Sequence, residues 1–177
     1  ETATWVSIER NVRAMDYIKN NNIEYAYKHR FCNLQYDVKE DRCVFCIYRN
    51  STIVDAVGRS LTGRKPKWKR YASSKLPFVT KNKSDTCVIV EDCASACAVT
   101  ISSVCGVALM GTNLLKEHIP HVVGGFKLAI VALDKDASKK SLDIAKELSV
   151  HIQTRVKLLD KDIKTWTKEK ILGEFNG

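Results

Sequence analysis

The chain has 177 residues, with 29 Lys and Arg against 20 Asp and Glu, a formal net charge of +9. At 45% hydrophobic and 28% charged residues it has the composition of a globular domain able to bury a core, which excludes wholesale disorder and a collagen-like fibre. No apolar run approaches the roughly 18 to 20 residues that span a bilayer, so neither a transmembrane helix nor a membrane partner is expected.

Glu1 is not followed by an apolar stretch of signal-peptide type, so the chain reads as a processed or partial piece without a leader. Its cysteines (Cys32, Cys43, Cys46, Cys87, Cys93, Cys97 and Cys105) are odd in number, and several lie inside apolar segments. That usage fits a reducing cytoplasm, where Cys acts as a small hydrophobe, better than a disulfide framework.

In chain order, Val12, Met15 and Ile18 recur at helical spacing and predict a helix over residues 6–20, stopped by Asn20-Asn21-Asn22. Residues 31–61 are rich in Val, Ile, Tyr and Phe, with polar breaks at 39–41 and 50–51, and predict a small antiparallel sheet. Residues 59–83 then hold nine cations and no acid, so the rest of the chain is neutral and this stretch carries the whole net charge. Trp68, Tyr71 and Phe78 stand among those cations, a mixture suited to phosphates and stacked bases; a solvated lysine-rich loop is the plainer alternative.

Beyond Ser84 the pattern changes. Cys87-Val88-Ile89-Val90 ends in Glu91-Asp92 and leads into a helix-compatible segment 93–101. Residues 107–110 end at Gly111-Thr112, residues 128–133 end at Asp134, and 138–149 predict an amphipathic helix with Leu142, Ala145 and Leu148 inward. Short, wholly apolar strands alternating with helices predict an α/β fold with a buried parallel sheet, helices on both faces, over residues 85–177, preceded by a small mixed α+β lobe over 1–84.

In such sheets ligands bind beyond the carboxyl ends of the strands, where Glu91, Asp134 and Asp136 are expected. If the extended conformation continues through Asp134-Lys135-Asp136, both carboxylates point the same way. With Glu91 they would form an oxygen-rich site for Mg²⁺ or Mn²⁺, because clustered carboxylates repel one another without a cation. The alternative for the Asp pair is a strand-to-helix turn in which Asp136 caps the helix.

These segments resemble the Toprim-containing primases of the bacterial DnaG type and their phage relatives. Val90-Glu91-Asp92-Cys93-Ala94-Ser95-Ala96 resembles their Glu motif, residues 106–112 their following strand and Gly-Thr turn, and residues 133–139 their Asp-x-Asp motif, with Lys139 where a glycine is common. Toprim topoisomerases and nucleases share those motifs. The preceding half distinguishes them: residues 14–18 resemble the helix that opens the primase polymerase core, and residues 41–48, 56–59 and 65–68 resemble its RvvFPi, vGR and pKY segments in order, with Cys46 in place of proline. Residues 161–164 resemble a later DPK segment, with Ile163 for proline.

The resemblance implies a Rossmann-like Toprim fold and template-directed synthesis of short RNA primers from NTPs on single-stranded DNA. Glu91, Asp134 and Asp136 would hold Mg²⁺ or Mn²⁺, with Asp162 at an outer metal position. Arg59, Lys65, Lys67 and Arg70 would hold NTP phosphates or template backbone, and Trp68 would stack on a base or pack on the sheet. It further implies a replicative helicase partner, as a separate protein or a domain of a longer parent chain, and a bacterial or phage-infected cytoplasm. A Toprim nuclease and a non-catalytic nucleic-acid-binding module are the alternative functions.

His29-x-x-Cys32 and Cys43-x-x-Cys46 have zinc-ribbon-like spacing, but a strand over 43–46 would turn Cys43 and Cys46 to opposite faces. Cys93 and Cys97 read as helix packing, and His118 and His121, either side of Pro120, as a loop.

Overall fold

The computed structural model describes residues 4–175. Its first sheet runs in the order β1 (Trp5–Ser7), β2 (Leu34–Asp37), β3 (Arg42–Arg49), β4 (Thr52–Ser60), β5 (Trp68–Arg70), antiparallel at every pairing. A 3-10 turn (Ile8–Arg10), α1 (Val12–Asn20) and α2 (Glu24–Lys28) lie between β1 and β2. The helix expected over 6–20 therefore starts later. Asn11 is its cap, with Oδ1 accepting the Ala14 N–H at 2.9 Å, while Trp5 to Ser7 pair with β2.

Both polar breaks are hairpin turns. Asp41 (φ 55°) and Asn50 (φ 57°) take the left-handed backbone that Asp and Asn tolerate best among residues with a Cβ. The basic stretch is not a free loop, since Trp68 to Arg70 form the edge strand β5 and Phe78–Val79, β6, joins the second sheet.

That second sheet is ordered β10 (Gln153–Val156), β9 (Leu128–Val131), β7 (Thr86–Val90), β8 (Cys105–Ala108), β6, parallel except for β6. Strand alternation splits its apolar side chains between two cores. Val88, Val90, Ala108 and Ile130 face α3 (Cys93–Val99), α6 (Lys168–Glu174) and the first sheet; Ile89, Val107 and Val131 face α5 (Ser138–Leu148). Both faces are thus covered, as the wholly apolar strands predict.

In α5 the inward face is Ser141, Ile144 and Leu148, whereas Leu142 is 59% exposed. The helix is rotated from the expected phase because Ile144, one turn before Leu148, outcompetes Leu142 for the core. Gly106 on β8 has the backbone of Ala96 on α3 so close that a Cβ would lie 2.0 Å from the Ala96 carbonyl oxygen. Among the described residues no helix is long and apolar enough to cross a membrane.

Candidate active site

From β7 the chain passes through α3 to β8 on one side, then crosses to β9 on the other side of β7. The carboxyl ends of β7 and β9 therefore flank the point where strand order reverses, the place where such sheets bind ligands. Glu91 directly follows β7, and Asp134 stands three residues past β9. Glu91 Oε1 accepts the Asp134 backbone N–H at 3.2 Å, and the Glu91 carbonyl accepts the Gly111 N–H at 3.3 Å, which ties the Gly-Thr turn to the same strand end.

The loop after β10 brings in Asp162, whose carboxyl acts on that of Asp134 and raises it. Asp92 completes the cluster in a different role. Its Oδ1 caps α3 by accepting the Ser95 N–H at 2.9 Å, and its Oδ2 accepts from Lys164 Nζ at 2.7 Å. Lys164 also lies 3.9 Å from Asp162 Oδ2.

One lysine does not balance four carboxylates. Burial, then the Glu91 charge and the contact with Asp162, push the Asp134 carboxyl up to about 7. Burial likewise raises Glu91, against the hydrogen bonds it receives from Asp134. Among the described residues no three His, Cys, Asp or Glu side chains stand in a ready-made metal-holding arrangement. The carboxylates are gathered at the strand ends but do not converge on one point. Their hard oxygen donors and uncompensated charge fit a divalent cation such as Mg²⁺ or Mn²⁺.

Asp136 is placed differently from the strand-based expectation. The chain leaves the extended conformation at Asp134 and enters a 3-10 turn (Lys135–Ala137), so alternation along a strand does not align the two carboxylates, and Asp136 is exposed. It does not cap α5 either, because Ala137 occupies that position with no side-chain cap.

The cations divide into two groups. Arg59 has its guanidinium carbon 5.8 Å from the ring centroids of both Tyr17 and Trp68, and Trp68 also packs 5.8 Å from Phe45. Trp68 is half-buried in that stack, while Lys65 and Lys67 are exposed and in no ion pair among the described residues. Arg70 is committed internally, donating to Asp55 Oδ2 at 2.7 Å, to Ser74 Oγ at 3.3 Å and to the Leu76 carbonyl at 3.0 Å.

Burial alone would raise the Asp55 carboxyl, but hydrogen bonds from Ser74, Arg70 and the Ala56 and Ala72 N–H groups outweigh it and hold the carboxyl below its ordinary value. A depressed carboxyl contributes stability that is present above its unfolded value and lost as pH falls through the folded one. Asp55→Asn is therefore expected to cost about 2–3 kcal/mol at pH 7 and progressively less as pH falls below about 4, measured by urea unfolding across that range.

Zinc at His29, Cys32, Cys43 and Cys46 is not supported. His29 is exposed with Nδ1 2.8 Å from the Tyr25 carbonyl, and the cysteines are free and buried, with the Cys46 thiol pushed up to about 11 by burial. Cys93 and Cys97 pack in the core as expected. His118 is buried rather than in an open loop: its Nδ1 accepts the Leu115 N–H at 3.1 Å, and burial pushes its imidazole down to about 4. His121 lies on α4 (Ile119–Val123). Lys164 and the structural role of Asp92 escape sequence reasoning; the signal for Lys164 was its place in the 161–164 segment.

No family model and no curated protein matches the sequence. Solved structures do. The chain is similar to the Aquifex aeolicus primase (zinc binding and RNA polymerase domains) with TM-score 0.66 and 16% identity, over 96% of this chain and 54% of that one. A DnaG primase catalytic domain bound to single-stranded DNA gives TM-score 0.60 and 16% identity over 92% and 57%. The E. coli primase catalytic core gives TM-score 0.66 and 15% identity over 89% and 68%. What is shared at these identities is the fold, that of the DnaG-type primase catalytic core, and the chain spans little more than half the length of the first two of these structures.

Proposed function

We propose that this chain, with the fold of a DnaG-type primase catalytic core, synthesises short RNA primers from NTPs on a single-stranded DNA template. The observation that carries the proposal is the carboxylate cluster at the strand-order reversal, where burial and then the neighbouring Glu91 and Asp162 carboxylates push Asp134 up to about 7. Glu91, Asp134 and Asp162 would hold Mg²⁺ or Mn²⁺, with Asp136 as a further ligand from the exposed turn. A divalent ion there supplies the charge that activates a primer 3′-hydroxyl and stabilises the α-phosphate and leaving pyrophosphate.

The chain's own residues supply positioning. Lys164 holds Asp92 and fixes the start of α3 behind Glu91. Arg59, steadied between Tyr17 and Trp68, and the free Lys65 and Lys67 would bind triphosphate or template backbone. Trp68 serves this reading as the platform of Arg59, and Arg70 acts through the sheet rather than on a phosphate. A replicative helicase, separate or in a longer parent chain, is the partner such an activity calls for.

Incubation with single-stranded DNA, NTPs and Mg²⁺ or Mn²⁺ is expected to yield short RNA products, and none without NTPs. Shortening of the DNA in the absence of NTPs would mark a nuclease instead and overturn the reading.

A further inference from the structure

The acid cluster already contains a cation of its own. Lys164 Nζ stands 2.7 Å from Asp92 Oδ2 and 3.9 Å from Asp162 Oδ2, so one ammonium touches carboxylates from two different strand ends. The Lys164 and Asp92 side chains are only 13% and 12% exposed, and solvent ions screen such a pair little. Each Asp92 oxygen has a donor: Oδ1 accepts the Ser95 N–H and Oδ2 accepts from the ammonium. Its charge still reaches the other acids, since it raises both the Glu91 and the Asp134 carboxyl. Asp92 therefore belongs to the cluster by charge, while its oxygens are already taken.

The backbone around Lys164 is fixed from outside its own loop. Asn22, in the turn between α1 and α2, donates from Nδ2 to the Lys164 carbonyl at 3.1 Å and to the Trp166 carbonyl at 2.7 Å. Trp166 Nε1 in turn donates to the Lys161 carbonyl at 3.0 Å, and Ile163, beside Lys164, is 1% exposed. A lysine stem loses much rotamer freedom when it is ordered, and this clamp holds its base at the cluster before any ion binds.

We propose that Lys164 fills with a fixed ammonium the place that a second divalent ion would otherwise take among these carboxylates, so that the site holds one Mg²⁺ or Mn²⁺, on Glu91 and Asp134, rather than two. Four carboxylates carry enough charge for two divalent ions. One divalent ion and one ammonium bring them close to balance, and a second ion would have to approach a like charge that is largely buried against two of the ligands it needs. Lys164 is thus a positioning residue that sets the number of ions and touches no substrate. The inference rests on the reading that a divalent ion works at these acids.

The test counts bound Mn²⁺ from the loss of the free-ion EPR signal, with neither nucleotide nor template present. The parent is expected to bind about one ion tightly, Lys164→Met about two, and Lys164→Arg, which keeps the charge, about one. Methionine replaces the stem with one of similar length but leaves Asp92 buried without its partner, so Lys164→Met should melt below the parent in the absence of metal and gain more from Mn²⁺. Should that variant be unfolded without metal, the count is read from its refolding against Mn²⁺ concentration, which is about twice as steep for two ions as for one. A lysine that only held the loop would, when replaced, lower stability and leave the count at one. Two ions in the parent, or one in Lys164→Met, would overturn the inference. The expected counts without primer synthesis by the parent would uphold it and overturn the primase reading alone, whereas a parent that binds no ion would overturn both.

Discussion

Replacing Asp134 by Asn, or Glu91 by Gln, is expected to lower metal-dependent primer synthesis at least about 100-fold while the protein stays folded. Each change removes a negative charge from a site that already holds more of them than Lys164 balances, so activity and stability should move in opposite directions. The Asp134 carboxyl sits at about 7 in the folded protein, against roughly 3.9 in an unfolded chain. A carboxyl raised on folding binds its proton more tightly in the native state, so native stability declines as pH rises from about 4 to about 7.

Asn carries no such penalty. At pH 8 without divalent ions, Asp134→Asn is expected to be more stable than the parent by on the order of 1–2 kcal/mol, after allowing for solvent screening of a half-buried group. At pH 4 the two should be nearly equal. Adding Mg²⁺ or Mn²⁺ should raise the melting temperature of the parent and leave that of the variant almost unmoved. Synthesis that survives either substitution would remove these acids from the reaction.

Gly106→Ala is expected to cost more than about 4 kcal/mol, most of the 5–15 kcal/mol that holds a typical domain together. The added Cβ would meet the Ala96 carbonyl oxygen at 2.0 Å, its carbonyl carbon at 2.5 Å and its Cα at 2.6 Å. These atoms belong to the backbone of a helix buried on all sides, so relief requires moving α3 off β8. That helix begins at Asp92, beside Glu91, so the variant should lose cooperative urea unfolding and primer synthesis together.

Gly58→Ala is the informative contrast. There the nearest atoms are side-chain atoms of Tyr71 at 2.9 Å and Arg42 at 3.0 Å, which can shift, so a cost of about 1–2 kcal/mol is expected. Comparable losses in the two variants would show that the α3–β8 contact is not the tight one.

Much of this fold is written locally. Wholly apolar four-residue strands such as Cys87-Val88-Ile89-Val90 can only be buried on both faces, and they are. The carboxylates at their ends follow in turn, because a strand that stops at an acid puts that acid at the sheet's rim. Where one residue's neighbours decide between alternatives, the local pattern falls short. Leu142 and Ile144 both fit an amphipathic helix, and packing against the sheet selected Ile144. Asp136 would share a face with Asp134 on a strand, but the backbone turns into a 3-10 helix at that point.

The sequence by itself determined the antiparallel sheet over residues 31–61, the alternation of apolar strands and helices after residue 85, the concentration of the entire net charge in residues 59–83, and the placing of Glu91 and Asp134 as strand-end acids. Each is a property of residues close together in the chain. Only the tertiary structure decided that Lys164 pairs with Asp92 beside those acids across about 70 residues, that Arg70 is withdrawn from solvent by a buried Asp55, and that Lys81 comes to lie over the Tyr48 ring. The reason is physical: these depend on which charges and rings the two sheets bring within a few ångströms when they pack, and local spacing carries no record of that.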